Sequence, residues 1–383
     1  MIRKPRLLVF SFLFFLILQR VYVLSRNLKR AYTVTMASNI AFPSPVGGVP
    51  FPSDFAPSVL FAVLYGLLLP VAAYRIADKR SRTVLLVGST VFAIERLVIF
   101  SLRAVQAHSS SKRESITIAA YMQVTIGLGF IGIMQDVMNL LRCLLVNSTL
   151  GPTNHPDTPS SSSDIVGSTS SVWKPSPSTS FHVLDGVFQG DQPRRRNFYR
   201  RFIDVTKLTF LVATIPGIIG NAHYRGVLDS ASTSQEVMRL RYVSTAVALF
   251  LILVVVSMTM WAMKTIPRVR TSPALLLLSI CALLSSSAIY RLAVMYNTTT
   301  SLTSMSQGSL NTPSEKAEFY IFHMLNEWVA LALILGLNVR ERFDTGMLGD
   351  WRPVDEDRRE RQRREEKEQK KRDRKAQQNN TVV

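Results

Sequence analysis

The sequence predicts an all-α membrane protein, a bundle of seven transmembrane helices. Three observations predict it: separate runs of about 20 apolar residues, Lys and Arg gathered in alternate connections, and no motif of a soluble enzyme. A helix of that length crosses a hydrocarbon core of roughly 30 Å. It also satisfies its own backbone polar groups, which the bilayer demands. The formal charge of +19 over 383 residues would suggest nucleic acid in a soluble chain. Here the basic residues flank apolar runs, so topology accounts for them and no nucleic-acid partner is expected. The partner implied is the lipid bilayer.

The first span is read from Ala56 to Tyr74 and the second from Thr83 to Val105. The third covers Ile116 to Val146, and the fourth Phe202 to Ala222, with a kink expected at Pro216. Tyr242 to Met263 is the fifth, an almost unbroken apolar helix; Pro273 to Tyr296 and Ala317 to Val339 complete the set. Cys143 and Cys281 both fall inside these runs and read as buried thiols.

Loop charges orient the bundle. Arg75, Lys79, Arg80 and Arg82 lie on one side, with Arg194, Arg195, Arg196, Arg200, Arg201, Lys264, Arg268, Arg270 and the basic tail. The other side has only Arg103, Lys112, Arg113, Arg225, Arg239 and Lys316 in or near its loops. The C-terminus is therefore expected in the cytoplasm of a multi-pass protein of the plasma membrane or an endomembrane. Tyr74 and Trp261 would sit at the inner interface, Tyr242 and Tyr296 at the outer.

Outside the spans, three segments read differently. Residues 1–35 carry Leu7 to Leu18, an apolar run preceded by Arg3, Lys4 and Arg6. It is a signal-peptide core, a signal anchor forming an eighth N-terminal hydrophobic helix, or a mis-assigned start with Met36 as the true one. Residues 36–55 read as a short, polar, Pro-rich outer segment. Residues 147–201 contain SSSSD, STSS and PSPSTS and are expected to be a disordered cytoplasmic loop, and residues 340–383 a charged cytoplasmic tail. In that tail, interleaved Glu and Arg favour a solvated helix, and a polybasic contact with anionic lipid is diluted by the acids. Asn297 begins a glycosylation sequon on the expected outer side; the sequon at Asn147 lies on the wrong side.

Function has to come from polar groups inside the membrane, where they are costly and face a bundle interior. Span two holds Glu95 and Arg96 near its middle. Span three carries Gln123, then Gln135, Asp136, Asn139 and Arg142; span six has Arg291; span seven has Tyr320, His323, Asn326 and Glu327. His323 and Glu327 are four residues apart, so they share a helix face. Counted from the span ends, Arg96 and Glu327 lie at similar depth and would neutralise each other, with Arg291 and His323 extending the network outward. Such a pair serves either as packing or as a substrate or proton site.

Known membrane chemistries narrow this inventory. Span seven lacks the lysine of a retinal protein. A zinc hydrolase needs several converging ligands, whereas His323 is the only histidine within a span, so no metal, no cofactor and no enzyme activity is expected. No G-x-S-x-G elbow, P-loop or Rossmann fingerprint occurs. Gly127, Gly129 and Gly132 read as close helix packing. Span three ends MNLLRCLLV and span seven LGLNVRERF, without the signatures of rhodopsin-like receptors.

FPSDFAPSVLFAVLYGLLLP, AIERLVIF, SAIYRLAVMY and FYIFHMLNEWVALALILGLNVRERF occur in that order between Phe51 and Arg342. In them the chain resembles an uncharacterised family of fungal seven-transmembrane proteins, a domain of unknown function. It is also loosely similar to the fungal aminocholesterol-resistance, lipid-translocating exporter family. The resemblance implies membrane-embedded charge at Arg96, Arg291 and Glu327 and assigns no established activity. Two function classes follow: a transporter or lipid-handling protein with a lipid or small-molecule ligand at a central polar site, or a heptahelical sensor signalling to cytoplasmic partners through its loop and tail.

Overall fold

The apolar runs fold as helices in the computed structural model, which describes residues 41–150, 192–347, 349–350 and residue 369. The apolar N-terminal run, most of the Ser-rich loop and most of the charged tail lie outside those residues. Seven long helices occur among the described residues: α1 (Phe55–Ala77), α2 (Leu86–His108), α3 (Ile116–Asn147), α4 (Pro193–Ala222), α5 (Ala231–Thr265), α6 (Thr271–Val294) and α7 (Pro313–Gly336). Two two-residue strands, β1 (Phe42–Pro43) and β2 (Thr298–Thr299), pair antiparallel at one end of the bundle. We call that end the N-terminal face and the opposite one, which carries Val339–Arg342, the C-terminal face.

The protein is an integral multi-pass membrane protein, an all-α bundle. Six of the helices are long and apolar enough to cross a bilayer. The remaining one, α2, contains Glu95, Arg96 and Arg103 within its 23 residues. The helices turn apolar side chains outward, as lipid requires and water would penalise. On α4 the outward stripe is Val205, Leu208, Val212, Ile215 and Ile219, all more than a third exposed. Those residues recur every three or four positions, which is one helical face.

α3 is the axis of the bundle: 72 % of its most apolar stretch is buried, more than in any other span. It packs against α2, α4, α5 and α6, while α7 closes the ring by touching α1, α2 and α6. Gly127 and Gly129 let side chains from neighbouring helices reach the α3 backbone, whereas Gly132 has open space where a Cβ would be.

α7 starts with a capping box: Thr312 accepts from the Glu315 amide, and the Glu315 carboxylate accepts from the Thr312 amide at 3.2 Å. Pro313 at the first turn fits the same start. The helix then winds as a π-helix over Phe319–Leu325 before resuming as an α-helix at Asn326.

Two expectations need correction. Residues 42–50, part of the segment read as a polar outer linker, are all buried. Pro and Gly prevent a helix there, so the side chains of surrounding helices satisfy its backbone instead. The spans also run further than their apolar cores: α5 begins at Ala231 and α4 at Pro193, so residues 193–201, expected in the disordered loop, are helical. Helical hydrogen bonding continues past the hydrocarbon edge wherever no breaker intervenes. Arg103 and Arg239, read as near-loop residues, are therefore helical.

Candidate functional site

The centre of the bundle is assembled on α3. At Gly129 the missing side chain leaves room for three groups: the Arg96 guanidinium and Phe92 ring of α2, and Glu327 of α7. Arg96 Nε donates to Glu327 Oε1 at 2.6 Å, and Nη2 lies 2.6 Å from the same oxygen. The guanidinium also stacks over Phe92 at 4.4 Å. The other carboxylate oxygen, Oε2, is 3.4 Å from His323 Nδ1, close but not aligned as a hydrogen bond. Arg96, His323 and Glu327 are fully buried. The π-helical turn ends just before Asn326 and contains His323, which shares a face with Glu327 four residues on; such turns recur at functional sites.

Arg291 of α6 enters two residues away along α3, where its Nη2 would be 3.3 Å from a Cβ on Gly127. It donates to the Ile126 carbonyl at 3.4 Å and stacks over Phe130 at 5.8 Å. No carboxylate pairs with it among the described residues.

The remaining expected residues fall elsewhere. Glu95 is half-buried beside Arg96, with Oε1 enclosed and unbonded. Asn326 turns toward α6 and donates to Ser286 Oγ at 2.9 Å. Asp136 accepts from Ser89 Oγ at 2.5 Å, and Asn139 is buried one turn further along α3 toward the C-terminal face. Asn297 is half-buried on the N-terminal face, where its carbonyl accepts from the Ser44 amide at 2.9 Å. Asn147 donates to the Phe343 and Asp344 carbonyls on the C-terminal face.

Two arginines escaped the sequence reading. Arg103 follows Arg96 by seven residues and so shares its helix face; its Nη2 donates to the Gly47 carbonyl at 2.9 Å. Arg241 sits in the RLRYV run before the apolar core of α5, where no breaker stops the helix. Its Nη2 donates to Gln123 Oε1 at 3.2 Å. Both are buried.

Together these groups form a column along α3. Gln123 meets Arg241, Gly127 meets Arg291, and Gly129 meets Arg96. Six residues of helix separate the ends, about 9 Å at 1.5 Å per residue. Around that column and the N-terminal face, five buried cations (Arg96, Arg103, Arg241, Arg291 and Lys316) face buried Glu327 and Asp54 and half-buried Glu95. Lys316 pairs with Asp54 and Arg96 with Glu327. Among the described residues the buried groups keep a surplus of positive charge, and the Nε atoms of Arg103, Arg241 and Arg291 lack hydrogen-bond partners.

Among the described residues no group of His, Cys, Asp and Glu is placed to hold a metal ion. No family model, curated protein or solved structure matches the chain.

Proposed function

We propose that the chain is a transporter or lipid-handling protein whose ligand is an anionic amphiphile. The observation that carries this reading is the buried surplus of positive charge along α3. Uncompensated charge inside a bundle is costly, so it persists where a counter-ion completes it. Guanidinium forks match phosphate and carboxylate oxygens in geometry as well as charge. Steps from Gln123 to Gly129 would pass an oxyanion between successive arginines, and the Arg96–Glu327 pair would close the far end.

In this reading α2 is the seventh span. Ile94, Val98, Leu102 and Val105 form an outward apolar stripe on it, while Arg96 and Arg103 point inward. Its charges are therefore sheltered by protein and its lipid face is apolar. The C-terminal face is cytoplasmic, as the Lys and Arg distribution favours.

The test is movement of a fluorescently tagged, short-chain phosphatidic acid between the leaflets of reconstituted vesicles. The wild type is expected to move it at least tenfold faster than protein-free vesicles, and Arg241→Gln to lose most of that rate. Equal rates with and without protein would remove transport.

One contact set favours a sensor instead. Asp350, at the start of the tail, meets Arg200 Nε at 2.7 Å and Arg142 Nη2 at 3.5 Å, tying the tail to α3 and α4. If signalling is the output, the same ligand binds without moving. Deletion of residues 151–191 or 351–383 then abolishes the response while insertion is preserved.

A further inference from the structure

Residues 41–51, AFPSPVGGVPF, contain no charge, yet they enter a cluster of buried cations, Arg103, Arg241 and Lys316. Their carbonyl oxygens are taken up by side chains from five different elements. Pro43 accepts from Tyr224 Oη at 2.7 Å, Ser44 from Arg241 Nη1 at 3.5 Å, and Val46 from Gln123 Nε2 at 3.2 Å. Gly47 accepts from Arg103 Nη2 at 2.9 Å and Val49 from Lys316 Nζ at 2.8 Å. Gln123 completes its hold by accepting from the Val46 amide at 2.9 Å.

At the tip, Gly47 and Gly48 both have positive φ, 79° and 59°. A Cβ on Gly47 would sit 2.6 Å from the Phe319 ring, and one on Gly48 would overlap the Leu310 carbonyl. The segment is thus fitted to its place. A gap of about 10 Å³ remains beside it, lined in part by Pro45, Gly48, Gln106 and Met122.

The fit is sterically close and electrostatically incomplete. Among the described residues, carbonyl dipoles satisfy one nitrogen of Arg103 and leave its Nε and Nη1 without hydrogen-bond partners, and Arg241 Nε has none either. An oxyanion would supply both the missing acceptors and the missing negative charge. We propose that residues 42–50 are a built-in plug in the ligand-entry site, their carbonyl oxygens standing where the oxygens of a phosphate-bearing ligand bind, and that ligand enters by displacing them. This inference rests on the anion-handling reading above. It adds the entry site, formed by Arg103, Gln123, Arg241 and Lys316, and a competition between segment and ligand for the same donors.

The competition sets the expected numbers. A site open for only a fraction of the time binds with an affinity reduced by that fraction. Pro43 and Thr298 are paired across β1 and β2. Directly opposed Cα atoms in an antiparallel pair lie about 4.5–5.5 Å apart, within reach of a disulfide. The native Cys143 and Cys281 are buried and do not compete.

The experiment measures direct binding of radiolabelled dioctanoyl phosphatidic acid to the detergent-solubilised full chain carrying Pro43→Cys and Thr298→Cys. Oxidation is expected to weaken binding at least tenfold and reduction to restore it. Gly48→Ala, which loosens the plug, is expected to tighten binding several-fold. A parallel titration with inorganic phosphate separates the sources: if phosphate competes at comparable concentration, the site takes a free oxyanion, and if it does not, the site takes a lipid headgroup. Equal binding in the oxidised and reduced states would overturn the plug while leaving the anion site standing. No binding in any state, wild type included, would overturn both.

Discussion

Arg96→Ala is expected to lower the stability of the bundle by about 3–5 kcal/mol, the cost of leaving one member of a buried ion pair alone. Glu327 would then be fully buried without its ion-pair partner, with His323 at 3.4 Å from its far oxygen. Loss of Phe92 stacking and an empty volume at Gly129 add to the cost. The double variant Arg96→Met/Glu327→Leu removes both charges together and is expected to recover most of the loss, because buried pairs replaced by apolar groups of similar volume are often neutral. Thermal unfolding in detergent, read with the yield of monodisperse protein, checks both outcomes. If Arg96→Ala unfolds at the wild-type temperature, the pair does not hold α2 to α7.

Arg291→Met is expected to do the opposite. Its guanidinium has one weak partner, the Ile126 carbonyl at 3.4 Å, and no carboxylate among the described residues. Methionine fills similar space beside Phe130 without a charge to desolvate. A gain of about 1 kcal/mol or more is expected in the absence of ligand, a rise in Tm of at least about 2 °C. The same variant is expected to lose ligand binding. Stability gained and binding lost by a single substitution is the mark of a residue kept for a ligand. A large loss of stability would place Arg291 with Arg96 as a packing element.

The contrast separates two explanations of the buried centre. A sealed Arg96–Glu327 pair, taken alone, is what helix packing would produce. Arg103, Arg241 and Arg291 are different, because none pairs with a carboxylate among the described residues and packing does not call for such cations. They carry the case for an anion.

Much of this was legible in the residues. Apolar runs and loop charges identified the long helices, and depth along the spans brought Arg96 opposite Glu327. The four-residue spacing of His323 and Glu327 set them on one face, although the π-helical winding of Phe319–Leu325 was not foreseen. The plug was not legible. Its hydrogen bonds go to residues far away in sequence, such as Arg103, Gln123, Arg241 and Lys316, so no local pattern marks residues 42–50 as anything but a linker. Arg103 and Arg241 were hidden for another reason: hydropathy locates the apolar part of a helix, and both lie near its margin. The i+7 spacing of Arg96 and Arg103 was a usable signal for one of them.

The measurement that bears most directly on the buried surplus of charge is a thermal titration of the purified wild type with two matched amphiphiles, dioctanoyl phosphatidic acid and uncharged dioctanoylglycerol. A ligand at about one hundred times its dissociation constant contributes about 2.7 kcal/mol to stability, which corresponds here to a rise in Tm of about 5 °C or more. That rise is expected for the phosphatidic acid, and little or none for the glycerol. Equal shifts from both, or no shift from either, would contradict it.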